Sequence, residues 1–181
     1  MRKSLITAAV LSVCCAAPAA FAADTDVGTL TINGYVKGTT CHFDSNAQNA
    51  KIQMSQIGTD VINGLGVGDA YSGYKNETMT PFTVTCDSNA DVPKLKFHSN
   101  EFEGIGNKGV TKNTGEADGV GYALLINGDR INVDGETQIA PTKSGDGKYT
   151  FNIAAQYARA NANTVSAGTV DSVVTFTVVA D

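Results

Sequence analysis

Gly168-Thr-Val-Asp-Ser-Val-Val-Thr-Phe-Thr-Val-Val-Ala-Asp181 is the stretch on which the reading of this chain turns. Its even positions run Val170, Ser172, Val174, Phe176, Val178 and Ala180, while Thr169, Asp171, Thr175 and Thr177 take most of the odd ones. Successive side chains of a strand point to opposite faces, so this period of two predicts a strand with one apolar face. Chain ends usually fray unless something ties them down, so a strand running to the last residue is expected to be held there. An apolar strand with bare backbone edges also needs neighbours, or it becomes a template for another chain. Whether those neighbours belong to this chain is the central question.

At the other end, residues 1 to 22 read as a secretory signal. Arg2 and Lys3 form its charged start, Leu5 to Val13 its apolar run, and Ala20-Phe21-Ala22 its small-x-small cleavage site. The apolar run is too short to span a bilayer, and no other stretch approaches about 18 uninterrupted apolar residues. A soluble mature protein without membrane insertion is therefore expected. Lipidation of Cys14 or Cys15 is disfavoured by Val13, which is large for the residue before a lipidated cysteine.

Cleavage after Ala22 leaves Ala23 to Asp181, 159 residues, enough for one domain with a sizeable core. Without Arg2 and Lys3 the balance is 11 basic against 18 acidic residues. A net charge near −7 with no basic cluster repels nucleic acid and anionic membranes, and suits solubility outside the cell. Two of the four cysteines leave with the signal. In an oxidising compartment the remaining Cys41 and Cys86 point to one disulfide, with two separate buried thiols as the alternative. A structural zinc needs four ligands, and only His42 and His98 could join the two cysteines.

Alternation recurs along the mature chain. Thr29 to Val36 places Leu30 and Ile32 on one face, and Lys51 to Ile57 alternates through Ile52 and Met54. Thr80 to Cys86 carries Phe82, Val84 and Cys86 on one face, with Pro81 suited only to a strand start or an edge. Leu95 and Phe97 mark another strand. Val120 to Asn127, followed by Gly128 and then Arg130 to Val133, reads as a hairpin. Lys148 to Ala158 alternates through Tyr149, Phe151, Ile153, Ala155 and Tyr157, which outweighs the helix propensity of the alanine-rich Ala154 to Ala162. Asn63-Gly64, Asp118-Gly119, Asp134-Gly135 and Asp146-Gly147 punctuate the spaces. Seven or eight short strands and no clear helix predict an antiparallel sandwich.

Catalytic signals are sparse. The sequence has no nucleophile elbow, no metalloprotease His-Glu-x-x-His and no phosphate loop. His42 and His98 suit surface roles. Glu101 and Glu103, with Glu116 and Asp118 beyond, form the nearest thing to a glycosidase pair, yet they lie in Gly- and Asn-rich sequence expected to be a solvated loop. Asp129 to Glu136 matches a calcium loop loosely, because Ile131 and Val133 stand where oxygen ligands or a glycine are needed. No enzyme, metal or cofactor is expected.

Together the two ends carry a resemblance. The run Asp26-Val-Gly-Thr-Leu-Thr-Ile-Asn-Gly-Tyr-Val36 ahead of Cys41 is similar to Gly-Thr-Val-x-Phe-x-Gly-x-Val before the first cysteine of chaperone-usher fimbrial subunits, the type 1-like pilins. Cys86 in Phe-Thr-Val-Thr-Cys and the strand Val120-Gly-Tyr-Ala-Leu-Leu-Ile126 also resemble that family. So does Gly168, fourteenth from the end and followed by alternating apolar residues, the family's chaperone-recognition pattern. Ala180 departs from it, standing where the family usually has a penultimate Tyr.

The resemblance implies an all-β fold: an incomplete immunoglobulin-like antiparallel sandwich completed by a donor strand from another chain. It implies a signal peptide over 1 to 22, a donor-strand extension over 23 to 36 and a pilin domain over 37 to 181. The groove wall and chaperone-binding strand would be Gly168, Val170, Val174, Phe176, Val178 and Ala180, and the donor face Gly28, Leu30, Ile32 and Gly34. The implied partners are a periplasmic chaperone, an outer-membrane usher and neighbouring pilin subunits, with export through the periplasm to a surface fimbrium. Strand addition to an open sheet edge supplies the physics. Two other readings remain: a hairpin turned at Asn33-Gly34, and a self-contained secreted carbohydrate-binding sandwich presenting Tyr71, Tyr74 or Phe102.

Overall fold

The structure is a computed structural model describing residues 28–36, 41–44, 49–73, 78–87, 91–106, 108–133 and 138–180. The expected signal segment and the residues up to Val27 lie outside the described residues. Where apolar alternation is clean, strands form: β1 Gly28–Val36, β2 Cys41–Phe43, β3 Asn49–Met54, β4 Thr78–Cys86, β5 Pro93–Phe97 and β6 Val120–Ile126. They continue as β7 Asp129–Arg130, β8 Gln138–Ile139, β9 Thr142–Gly145, β10 Lys148–Arg159 and β11 Asp171–Ala180. The one α-helix among the described residues is a single turn, α1, Thr59–Asn63.

The strands make two sheets. One has the order β3-β1-β11-β5-β8, and the other β2-β4-β10-β6-β7 with β9 on β10. Their inner faces meet as the alternation predicts. Phe176 of β11 sits at the centre, its ring centroid 5.3 Å from Phe82 and 5.5 Å from Phe97. Phe43 closes on it from β2 at 5.9 Å. Around these pack Val84, Leu95, Leu124, Phe151, Ile153 and Val174, all fully buried. Each such side chain contributes roughly 1.5–3 kcal/mol when withdrawn from water.

Several expectations hold in detail. Asn127 and Gly128 both have positive φ, 54° and 94°, the geometry of the tight turn that joins β6 to β7. The alanine-rich segment is strand to Arg159. Cys41 and Cys86 stand directly opposite each other on β2 and β4 and are joined as a disulfide. Pro81 lies inside β4, opposite Asn152 of β10. Its other flank carries no ladder, because β2 covers β4 only over Val84–Cys86, so the missing N–H costs nothing there.

Two features differ from the expectation. More strands form than the seven or eight expected, because β2, β8 and β9 are too short or too polar to show alternation, and the expected hairpin arm Arg130 to Val133 is strand only in the two residues of β7. The second face of β6 is also covered: Ala123 packs with Val110, Ala158 and Ala160 in a small cluster outside the sheet. Gly121 permits this, since a Cβ there would meet the carbonyl oxygen of Thr111 at 2.2 Å.

Candidate functional site

The strand β11 is secured on one edge independently of β1. Over Phe176–Ala180 it pairs with β5. Nearer its start, loops take over from strands. Thr114 N–H donates to the Asp171 carbonyl at 2.8 Å, and Asp171 N–H donates to Asn113 Oδ1 at 2.8 Å. Thr175 N–H donates to the Glu101 carboxylate, and its carbonyl accepts from His98 N–H at 3.3 Å. Ser172, buried, donates to the Lys112 carbonyl and meets the Thr111 hydroxyl, each at 2.8 Å. The phenol of Tyr122 donates to the Val170 carbonyl at 2.7 Å.

Ahead of the strand, Gly168 has φ 147°, and a Cβ there would come within 2.8 Å of the Ala117 nitrogen. The glycine is needed for this close approach of segment 116–117, which is sealed by Ala117 N–H donating to the Thr169 carbonyl at 3.0 Å. Gly168 and Val170 therefore precede the strand. Val170, Val174, Phe176 and Val178 are buried, and Ala180, opposite Pro93, is partly buried against the core.

The other edge of β11 is paired by β1 alone among the described residues. Residues Thr29–Val36 run parallel to Asp171–Val178, while Gly28–Asn33 pair antiparallel with Met54–Asn49 of β3. Leu30 lies between Ile52 and Ser172, Ile32 between Ala50 and Val174, Gly34 beside Phe176, and Gly28 beside Met54. Leu30 is fully buried. The segment is one unbroken strand, so no hairpin turns at Asn33-Gly34. The immunoglobulin-like sandwich thus contains a slot between β3 and β11, and within a single chain the strand that fills it is the chain's own. This makes β1–β11 the one parallel pair among the described strands. Since β3 and β11 run in opposite directions, any strand between them must be parallel to one of the two.

At the end of the slot where β1 begins, an apolar cavity lies against the start of β11, lined by Ile57, Ile62, Tyr157, Val165, Gly168 and Val170. Ile52 and Met54, which wall the slot from β3, were legible as an alternating pair. The ties that fix β11, Asn113 and Glu101, were not, because a loop side chain gives no period.

The acidic residues of the loops act as ties. Glu101 accepts from the β11 backbone. Asp118 accepts from Asn163 Nδ2 at 2.9 Å and Asn161 Nδ2 at 3.3 Å, bonds that hold its carboxyl below the usual range. Lys108 donates to Asp69 at 2.6 Å and lowers that carboxyl likewise. His42 and His98 are exposed, with His98 Nε2 3.5 Å from Thr177 Oγ1. Among the described residues no cluster of three His, Cys, Asp or Glu could hold a metal ion. The loosely calcium-like loop leaves the described residues at Asp134.

No family model matches the chain. It is 29% identical over 172 residues to "Uncharacterized fimbrial-like protein YehD" of Escherichia coli K12, covering 94% of both chains. It is 28% identical over 189 positions to a "Type-1 fimbrial protein subunit" of Serratia marcescens, covering 98% of both. The rod subunit PapA of the P pilus shares its fold, with a TM-score of 0.58 at 16% identity, over 79% of this chain and 100% of PapA.

Proposed function

We propose that this chain, a structural fimbrial subunit related to bacterial fimbrial proteins over nearly its whole length, polymerises head to tail by donor-strand exchange. The Gly28–Val36 segment of one subunit would occupy the slot between β3 and β11 of the next. The observation that carries this reading is the slot: among the described residues β3 and β11 are bridged only by β1, while the opposite edge of β11 is met by β5 and by loops. Removing β1 would leave two backbone edges and an apolar trough facing water, a template for strand addition. Leu30 and Ile32 of the incoming strand would supply the anchors, each worth roughly 1.5–3 kcal/mol when buried. Gly28 and Gly34 would sit where the trough is shallow.

The division that goes with this is a signal peptide over 1–22, an extension over 23–36 and a pilin domain over 37–181. A periplasmic chaperone would fill the slot first, contacting the strand that follows Gly168, and an outer-membrane usher would receive the complex. The product is an extracellular surface fimbrium. No helix among the described residues is long and apolar enough to cross a membrane. The relatives carry the names of a fimbrial-like protein and a type-1 fimbrial protein subunit. A carbohydrate-binding module is not favoured: Phe102 is buried against Phe97, 6.3 Å between ring centroids, and Tyr71 packs partly buried against the core.

The test is a variant lacking Ala23 to Asn33, purified from the periplasm without a chaperone, with and without a synthetic Gly28–Val36 peptide. The expected result is a chain that is scarce or aggregated alone and becomes a denaturant-resistant monomer with the peptide. A stable truncated monomer indifferent to the peptide would remove the slot, and with it donor-strand assembly.

A further inference from the structure

Beyond the expected signal and its Arg2 the chain holds two arginines, and they are placed in opposite ways. Arg159, at the end of β10, donates to the backbone carbonyls of Asn63, Leu65, Asn161, Ala162 and Asn163, at 2.7 to 3.5 Å. Arg130 of β7 has no such set. Its Nε and Nη2 are both buried, and among the described residues neither meets an acceptor. Buried donors without partners are rare in folded proteins, because each has given up its bonds to water and made none in their place.

The surroundings of Arg130 account for the burial. It pairs with Leu125 of β6 and so shares that residue's face, opposite to the one on which Leu124 and Ile126 enter the core. Over the same outer face run the segments carrying Ala70 and Val110, bridged to Ala158 of β10 and Ala123 of β6. Gly109 lies against the continuation of β7: a Cβ there would meet the Val133 side chain at 2.8 Å and the Ile131 carbonyl oxygen at 3.1 Å. Arg130 is thus caught, half-buried, at the border of this layer. Burial pulls its pKa down, and the charge that opposes this is that of Asp69. Asp69, however, is held by Lys108 at 2.6 Å, both side chains about half exposed. The corner carries two cations and one anion, and the fork of the second cation is unmatched.

We propose that Arg130, at the corner it shares with Asp69 and Lys108, is a binding site for a carboxylate group. Nε–H and one Nη2–H lie side by side along a single edge of the guanidinium, and a planar carboxylate accepts from both at once. One carboxylate satisfies both buried donors and brings the corner to neutrality. A doubly charged phosphate or sulfate would overshoot that balance beside Asp69. The group can arrive on a small acid or on a side chain of another copy of the chain, in which 18 acidic residues stand against 13 basic ones. The site lies on the sheet that does not contain β3, β1 and β11, so it neither needs donor-strand exchange nor bears on it.

The test uses the small number of arginines. In isotopically labelled chain purified from the periplasm each arginine gives one Nε–H resonance, assigned through its backbone amide, with Arg159 and its bond to the Asn161 carbonyl as internal reference. Sodium acetate replaces sodium chloride at constant pH and ionic strength, in dilute chain and across a series of chain concentrations. The expected result is that acetate moves the Arg130 resonance to saturation and leaves that of Arg159 in place. Arg130→Lys, which keeps the charge and loses the fork, should bind acetate about tenfold more weakly, read from the amides of Asp129 and Ile131. A shift of Arg130 with chain concentration that acetate reverses would equally support the site and identify another copy as the source of the carboxylate. An Arg130 resonance indifferent to acetate and to chain concentration would overturn the site. So would both arginines drifting together without saturation, which is an effect of salt alone, or a concentration shift that acetate leaves intact. Equal acetate affinity in Arg130→Lys would do the same, by assigning the effect to charge rather than to the fork. Where Arg130→Lys folds poorly, the titration of the unaltered chain decides by itself.

Discussion

Tyr122 ties the two sheets together at a single atom. Its ring is fully buried 5.2 Å from Tyr157, and its hydroxyl donates to the Val170 carbonyl where the chain turns into β11. Burial, and then the neighbouring Tyr157, push its pKa well above the usual phenol value of about 10. A raised acid pKa favours the folded state at low pH. That stability is fully present below about pH 10 and is lost as the unfolded chain gives up a proton that the folded chain keeps. Tyr122→Phe should cost about 1 kcal/mol at pH 8 through the lost hydrogen bond. The variant should also be free of roughly 1.4 kcal/mol of alkaline destabilisation by pH 11. Urea titrations should therefore show the gap between the two proteins closing or reversing at pH 11; a constant gap would mean that the phenol ionises in place. The sequence placed Tyr122 on an apolar strand face. Its tie to Val170 was hidden, because nothing local links residues 48 apart.

Among the elements, β1 has a weak pattern, with Leu30 and Ile32 its apolar pair, and the most ambiguous allegiance. The alternation of β4, β10 and β11 is legible because one face of each is buried and period two is then enforced. Alternation says which face is buried but is silent about whose core covers it, so sequence could not tell a strand that stays at home from one that leaves. The layer outside β6 escaped for another reason: glycine and alanine carry no hydrophobic contrast, so Gly121 and Ala123 looked neutral while being wholly buried. Leu30→Ala probes the element directly. Truncating a fully buried leucine should cost about 2–5 kcal/mol of unfolding free energy in the closed chain. The same change should speed capture of the wild-type Gly28–Val36 peptide, because the resident strand leaves more readily. Lower stability with unchanged capture would assign Leu30 to the permanent core and β1 to a fixed place.

For the whole molecule, the question is whether exchange of β1 closes or propagates. Two chains that trade strands reciprocally make a dimer with both slots filled, and growth stops there. One chain donating to a second while accepting from a third makes a heterologous contact, which extends without limit unless its rotation closes a ring. A subunit lacking Ala23 to Asn33 separates these cases, because it can accept but cannot donate. Mixed at one part in ten with full-length subunit, it should cap growing filaments at an average of about ten subunits, shortening them in proportion to its share. Electron microscopy of filament length against the fraction of trimmed subunit reads this out. In a reciprocal dimer the trimmed chain would only bind one-sidedly, no filament would appear at any ratio, and sedimentation would show a single species of two chains. The acidic balance of the chain, 18 carboxylates against 13 basic residues, works against random association between such chains. Contact specific enough to overcome that repulsion must come from backbone ladders and buried side chains, and the slot between β3 and β11 offers both in one place. A length distribution that ignores the trimmed subunit would place the growing contact elsewhere on the molecule.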